Sequence, residues 1–305
     1  MEDVVSSPAP ITAIVTAFNR IEQTIETIGR IQACNPLPDE ILVHVDANQE
    51  QCANAIRRAF PNLRVLVSTH GVGPGGGRNR LIAEARNDLI ASFDDDSYPL
   101  DLDYFARVRT LVETFPDAAI FAASIFHRGE LPTSDNQEVS PTASFVACGA
   151  VLRRHDFIES GGFVPLVVAY GMEEEDLAIR LLDRGRKLFA TPWLRIFHDT
   201  DLSHHQSARV TSGTIANIAL LASLRYPPSY WPYAALQVAN RVMWCLRVGR
   251  YAGVLSGLAA IPGHLTRHRK LRAPVSLDTM RLRREVRVAH AKPFAFDVSE
   301  RSAAT

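Results

Sequence analysis

A regular alternation of short apolar runs with amphipathic helical stretches most constrains the fold of this chain. Between the runs, apolar residues recur at helical spacing, as in Ile21, Ile25 and Ile28. Alternation of this kind favours right-handed crossovers and an α/β fold, with a mainly parallel sheet flanked by helices. Ligands of such sheets bind beyond the carboxyl ends of the strands. The strand-like runs are residues 11–18, 40–46, 63–68, 89–93 and 118–124.

Three consecutive aspartates, Asp94, Asp95 and Asp96, follow the fourth apolar run. Carboxylates this close repel one another unless a cation lies between them. Oxygen ligands on a short turn suit Mg²⁺ or Mn²⁺, particularly when a phosphate completes the coordination. A single aspartate would be enough to cap the helix predicted over 100–115, so three favour a metal site. Asp46 ends the second run and should lie on the same edge of the sheet.

A glycine-rich turn over residues 71–77 leads into Arg78 and a helix predicted to continue through Arg86. Glycine lets the backbone approach a ligand closely, and a helix N-terminus favours phosphate. A turn of this kind, with acids roughly 20 residues later, is also typical of a dinucleotide site. That site belongs after the first strand, whereas this turn follows the third. A dinucleotide-dependent oxidoreductase and a merely structural turn remain alternatives.

A second acidic cluster, Glu173 to Asp176, begins a predicted helix whose apolar face includes Leu177 and Leu181. Acids in a first helical turn are favoured by about 0.3–1 kcal/mol each, which explains one or two of them. Four in a row beside the flexible Gly171 indicate a functional site. His198 closes a later strand, where it is either a hydrogen-bonded core residue or a metal ligand.

Beyond residue 207 the chain becomes helical and apolar, with Trp231 and Trp244 interspersed with arginines. A basic tail follows, with nine Lys or Arg residues between positions 264 and 292 against two acids. Aromatic rings beside cations suit a membrane interface, but helices packed on the first domain or a homodimer face are equally consistent. We expect a loose leader over 1–10, a catalytic domain over 11–205 and a basic helical extension over 206–305.

Charge and cysteine usage narrow the partners and the compartment. Lys+Arg and Asp+Glu both total 33, which does not favour nucleic acid as a partner. The four cysteines have no metal-type or redox spacing, which favours a reducing cytoplasm. No run reaches the ~18 uncharged apolar residues that would span a bilayer. We therefore predict a cytoplasmic protein, with peripheral contact at the inner face of the membrane as an option.

Taken in order, these segments resemble glycosyltransferase family 2, whose members have the GT-A fold. The resemblance covers about residues 11–198, after which the chain is loosely similar to rhamnosyltransferase-like members. The matching motifs are Val-Thr-Ala-Phe-Asn-Arg at 15–20, Asp46, Arg78-Asn79, Phe-Asp-Asp-Asp at 93–96, Gly-Gly-Phe at 161–163, Glu-Glu-Glu-Asp-Leu-Ala-Ile-Arg-Leu at 173–181, and a later Pro and His.

The resemblance implies an inverting, Mn²⁺- or Mg²⁺-dependent transfer from a nucleotide-diphosphate sugar to a saccharide or lipid-linked acceptor, as in polysaccharide or glycolipid synthesis. It implies that Glu174 is the catalytic base, with Glu173 as its competitor. Gly149 and Asp176 would lie on the acceptor side. The metal ligands would be Asp94, Asp96 and His198. The donor-binding residues would be Ala17, Phe18, Arg20, Asp46, Arg78, Asp94 and Asp95. A sugar nucleotidyltransferase and a noncatalytic sugar- or lipid-binding module are further alternatives.

Overall fold

The computed structural model describes residues 9–132, 136–200, 207–288 and 294–295. Most of the predicted leader and the predicted domain boundary at 205/206 therefore lie outside the described residues. The strands are β1 (Ile11–Ala17), β2 (Glu40–Val45), β3 (Arg64–Val67), β4 (Leu89–Asp94), β5 (Ser97–Pro99), β6 (Ala118–Phe126), β7 (Glu138–Pro141), β8 (Ala150–Arg153), β9 (Lys187–His198) and β10 (Phe294–Ala295). The helices are α1 (Ile21–Gln32), α2 (Glu50–Ala59), α3 (Gly73–Glu84), α4 (Tyr104–Thr114), α5 (Arg154–Glu159), α6 (Glu173–Asp183), α7 (Ala208–Arg225), α8 (Trp231–Arg247), α9 (Val254–His268) and α10 (Leu277–Val288).

The described strands form one mixed sheet in the order β10-β7-β9-β6-β8-β4-β1-β2-β3, with β5 paired to β9. Strands β1 to β4 pair in parallel, as the alternation predicts. Beyond β4 parallel pairing is confined to β6 with β9, because β8 runs antiparallel between β4 and β6. The predicted α/β fold with helices flanking the sheet is confirmed, and the parallel part is the half that carries β1 to β4.

Both faces of the sheet are covered by helices, which is why all seven residues of β1 are buried. Alternate residues of β1 point to opposite faces. Ile11, Ala13 and Val15 belong to a core shared with α1, α2 and α4. Ile14 belongs to a second core that includes Leu81 of α3 and Leu177 of α6. The helices are thereby held at fixed positions around the carboxyl edge of the sheet.

The helical extension divides into a packed part and an outward part. Ile179 of α6, Leu220 of α7 and Met280 of α10 share one core, so α7 and α10 pack on the sheet domain. Helices α8 and α9 contribute mainly to a small cluster around Cys245 and Val254. The extension also adds β10, which pairs with β7. Within the described residues, no helix has the length and hydropathy to cross a membrane.

A buried ion network joins α6 to α7. The carboxylate of Asp176 is fully buried and accepts hydrogen bonds from Nε of Arg180 at 2.9 Å and Nε of Arg225 at 2.5 Å. Arg225 also donates to the carbonyl of Leu271 at 2.9 Å. One carboxylate thus balances two largely buried guanidinium groups, and it fixes the extension against the helix that carries the acidic cluster.

We expect Asp176→Ala to lower the free energy of unfolding by about 3–5 kcal/mol, because it leaves buried cations without their counter-charge. Urea unfolding followed by circular dichroism measures the loss. Asp278→Ala is the matched control, since Asp278 forms a solvent-exposed pair with Arg281 and its removal should leave the unfolding midpoint unchanged. A loss below about 1 kcal/mol for Asp176→Ala would contradict the assigned role.

Candidate active site

The candidate site lies at the carboxyl edge formed by β4, β1 and β2. Thr16 is level with Asp94, and Ala17 is level with Val45, so the three strands end together. A tight turn follows β4, in which the N–H of Asp94 donates to the Ser97 hydroxyl at 2.7 Å. That hydroxyl donates to the carbonyl of Cys148 at 3.2 Å. The turn and the segment before β8 are thus locked together beside the strand ends.

Asp95 supports the turn from beneath. Its buried carboxyl group accepts the N–H of Phe18 at 3.0 Å and lies 3.4 Å from Nη1 of Arg20. Burial raises the pKa of Asp95 to about 7, although the Phe18 N–H and the Arg20 charge oppose the shift. Asp95 therefore holds the loop after β1 from inside the protein. The resemblance implies that Asp95 binds the donor, but the structure buries its carboxyl group.

Asp96 holds His198. Its carboxylate, which is only 2% exposed, lies 3.1 Å from Nε2 of His198 and forms an ion pair with Arg20. Burial would raise the pKa of Asp96, but the hydrogen bond and charge of His198 and the charge of Arg20 outweigh it and lower the pKa. Burial likewise disfavours protonated His198, yet Asp96 and Asp94 raise its pKa. The structure thus brings together Asp94, Asp96 and His198, as predicted.

Three ligand atoms converge in this corner of the described structure. One atom each from Asp94, Cys148 and His198 lies within 4.8 Å of the other two. The carboxylate and the imidazole are donors that suit Mn²⁺. Burial raises the pKa of the Cys148 thiol well above its ordinary value, so the thiol is a poor ligand for a hard cation. The residues present fit a divalent cation through Asp94 and His198, with Asp96 directly behind.

Sequence reasoning missed Cys148, because a single cysteine without a spaced partner carries no metal signal. Its position just before Gly149 was the available clue. Gly149 itself is a packing position, since a Cβ there would lie 2.6 Å from Cδ1 of Ile125 and 3.0 Å from Cγ1 of Ile196. The absence of a side chain at Gly149 therefore allows the turn at Cys148 to pack closely against β6 and β9.

The N-terminus of α3 is occupied by protein carboxylates. The Asp46 carboxylate accepts the N–H of Val72 at 2.9 Å and the N–H of Gly73 at 3.0 Å. Glu173 accepts the N–H of Gly75 at 3.1 Å, and a Cβ on Gly75 would overlap the Glu173 carboxylate. Because these N–H groups already donate to side-chain oxygens of Asp46 and Glu173, the glycine-rich turn does not offer them to a phosphate. The dinucleotide alternative loses its main support.

Arg78 joins the two acidic clusters. Its guanidinium group is buried, donates from Nε to the Ser92 hydroxyl at 3.0 Å and forms an ion pair with Asp94. Burial disfavours the charged form, but the charges of Asp94, Glu173 and Glu174 outweigh it and raise the pKa of Arg78. With 3% of its surface exposed, Arg78 holds Asp94 in place from inside the protein, and its charge also acts on Glu173 and Glu174.

Both candidate bases lie in this group. Burial raises the pKa of Glu173 to about 8, and the charge of Glu174 adds to the shift. Burial also raises the pKa of the half-buried Glu174, against the N–H groups of Glu174 and Ala147 and the charge of Arg78. Glu173 is 1% exposed and bonded to Gly75. Glu174 is the more accessible of the two.

The remaining predicted residues divide between the cleft and the interior. Phe18 is 56% exposed at the end of β1, Arg20 has a partly exposed side chain, and Ala17 is buried. Asp176 is not brought to the acceptor side, because its carboxylate is enclosed by Arg180 and Arg225.

Two predicted motifs meet away from the acids. The Asn79 side chain accepts the N–H of Phe163 and donates to its carbonyl, both at 2.9 Å. This pair of hydrogen bonds fixes the segment before α6 against α3.

A family model described as "Glycosyl transferase family 2" matches residues 12–164, which is half of the chain. The search of curated protein sequences found no match to this chain. Among solved structures, the mannosyltransferase PcManGT from Pyrobaculum calidifontis, in complex with GDP-Man and Mn²⁺, is 16% identical. Its TM-score is 0.57, and the alignment covers 91% of this chain and 79% of that one.

Two further structures share the fold. GalNAc-T7 with UDP, GalNAc and Mn²⁺ is 11% identical with a TM-score of 0.61, and the alignment covers 94% of this chain and 58% of that one. TarS from S. aureus is 13% identical with a TM-score of 0.51, covering 76% of this chain and 43% of that one. The chain thus spans less than two thirds of these two proteins. At such identities the likeness shows the GT-A fold alone.

The raised pKa of Glu173 predicts a pH-dependent stability. The folded protein binds this proton more tightly than the unfolded chain, whose ordinary pKa is 4.5. Stability therefore falls as the pH rises from about 4.5 to about 8. Glu173→Gln keeps an oxygen for the Gly75 N–H but does not titrate, so its unfolding temperature should fall less between these pH values. Thermal unfolding across this range measures the difference, and parallel curves for the two proteins would contradict it.

Proposed function

The chain belongs to glycosyl transferase family 2, and from this premise we propose an inverting transfer of a sugar from a nucleoside diphosphate sugar to an acceptor hydroxyl. The chain is a glycosyltransferase with a GT-A fold. The stereochemistry, the donor class and the metal are the proposed parts. The observation that supports these three parts most directly is that Glu174, Arg78 and Asp94 lie together at one edge of the sheet.

The donor end of the proposal rests on the edge of β1 and β4. PcManGT was solved with GDP-Man, and GalNAc-T7 with UDP, each with Mn²⁺. In this chain Asp94 and His198 would hold the cation, and Asp96 would orient the imidazole. When bound, a divalent cation offsets the charge that grows on the leaving diphosphate.

Two side chains complete the donor end. The exposed ring of Phe18 offers an apolar face to a nucleobase. Arg20 is the most accessible cation of the cluster and would meet the diphosphate, with Asp95 and Asp96 fixing its direction. Asp46 would contribute to base binding indirectly, because its carboxylate holds the loop before α3.

Glu174 is the proposed general base. It would accept the proton of the acceptor hydroxyl while the hydroxyl oxygen attacks the anomeric carbon and the diphosphate leaves from the opposite face. Burial raises its pKa, which makes it a stronger base than an exposed carboxylate. Glu173 has its carboxyl group committed to Gly75 and positions the start of α6. The acceptor would be a saccharide or a lipid-linked hydroxyl.

Glu174→Gln should lower turnover by about a hundredfold or more, which is the range that a general base supplies. Binding of a nucleoside diphosphate should persist, because the amide occupies the same space. Nucleoside diphosphate release from a panel of donors measures turnover, and thermal shift measures binding. Glu159→Gln on the exposed side of α5 is the control. Unchanged turnover would remove Glu174 from the role, and release of pyrophosphate from triphosphates would favour a nucleotidyltransferase.

His198→Ala should abolish the dependence of nucleoside diphosphate binding on Mn²⁺. In the wild type, Mn²⁺ and nucleotide at a hundredfold excess over the dissociation constant should stabilise the fold by about 2.7 kcal/mol. Thermal shift with and without Mn²⁺ separates the two contributions, and EDTA should reverse the wild-type gain. His155→Ala is a control, since His155 pairs with Asp88 on the surface. Persisting Mn²⁺-dependent stabilisation in the His198 variant would contradict the assignment.

A further inference from the structure

Helices α8 and α9 present an exposed apolar surface, formed by the exposed apolar side chains between Trp231 and Leu258 and called here the α8–α9 face. Of the twenty-one large apolar side chains exposed in the described chain, ten lie in these 28 residues. Leu255 is 82% exposed, Tyr251 67% and Leu236 54%. Apolar exposure concentrated to this degree marks an interaction surface.

The charged side chains of the segment that carries the α8–α9 face are all of one sign. Residues 202–277 contain nine arginines and lysines and no aspartate or glutamate. Two cations lie against one exposed tryptophan, since the guanidinium carbons of Arg241 and Arg250 are 4.5 and 4.8 Å from the ring centroid of Trp244. Arg272 lies 5.6 Å from the centroid of Trp231. Each exposed tryptophan of the face thus carries a cation beside an apolar ring.

We propose that the α8–α9 face docks on a bilayer that contains anionic lipid. Tryptophan and tyrosine are enriched at the level of lipid headgroups, and helices with an apolar face and basic flanks lie in that interface. Helices α8 and α9 have 17 and 15 residues. Such helices fit a position parallel to the surface. The cations bind headgroup phosphates while the leucines enter the acyl boundary.

A second copy of the chain fits the face less well. In a two-fold dimer the same patch meets itself, so the cations of one copy would lie near the cations of the other. No carboxylate between 202 and 277 is available to pair with these cations. A bilayer supplies both the apolar layer and the negative charge. The extension would then present the sheet domain at the membrane surface, because α7 joins both helices to α6 through Arg225 and Asp176.

Co-flotation tests the binding without reference to catalysis. We expect the full chain to float with vesicles of phosphatidylglycerol and phosphatidylcholine and to remain below with phosphatidylcholine alone. Leu255→Glu should weaken binding at least tenfold, since it places a charge where a leucine enters the acyl boundary. Arg247→Gln should weaken it by about fivefold. Leu131→Glu is the matched control, because Leu131 is 89% exposed outside the face and its replacement should leave binding unchanged.

Tryptophan fluorescence tests the orientation. The chain has three tryptophans, of which Trp193 is buried and Trp231 and Trp244 belong to the face. Phospholipids with brominated acyl chains should quench the wild type. A Trp231→Phe/Trp244→Phe variant should still float but lose the quenching, because only the buried Trp193 remains. Quenching that persists in this variant would place the contact elsewhere and overturn the proposal.

Two other outcomes would overturn it. One is the absence of binding to anionic vesicles by the wild type. The other is a wild-type dimer that Leu255→Glu converts to a monomer, which would assign the face to a second copy. Thermal unfolding of Leu255→Glu should match the wild type, and Arg247→Gln provides an independent variant if it does not.

Discussion

Two carboxylates at the N-terminus of α3 hold the candidate site in shape. Asp46 comes from the end of β2, and Glu173 comes from the start of α6, 98 residues after the Gly75 N–H that it binds. Both bind N–H groups that a helix N-terminus leaves without intrahelical partners. Only glycine at position 75 leaves room for the Glu173 carboxylate. The contact between Gly75 and Glu173 fixes where α6 begins. It therefore also fixes the position of the neighbouring Glu174 relative to the strand ends.

The three consecutive aspartates illustrate how a tight turn separates adjacent residues. Asp94 pairs with Arg78, Asp95 holds the backbone of Phe18, and Asp96 holds His198. The sequence predicts that repelling carboxylates need cations nearby, and the structure supplies Arg20 and Arg78 as permanent ones. The negative charge of the three aspartates is therefore partly offset by arginines before any metal binds. Asp94 remains half-buried, on the side of the cluster that solvent reaches.

Much of the parallel half of the sheet could be predicted from periodicity, because each strand and crossover helix is a local pattern in the chain. The edge position of Asp46 and Asp94 followed from the same pattern. What could not be predicted depends on long-range pairing. The antiparallel entry of β8 and the burial of Asp176 against Arg225 join residues far apart in the chain. Cys148 likewise gains its neighbour His198 only when β9 is placed beside β6.

Because residues 202–277 contain no aspartate or glutamate, charge is distributed unevenly over the whole molecule. Positive and negative side chains balance over the full chain, so the nine cations of a stretch that contains no acid are matched by an equal excess of anions in the remainder. The protein is thus an electric dipole with its positive pole in the outer helices. In the field of a negatively charged surface it experiences a torque, which falls off beyond about 8–10 Å at physiological salt. Close to such a surface, this torque would turn the outer helices toward the surface before any atom of the protein contacts it.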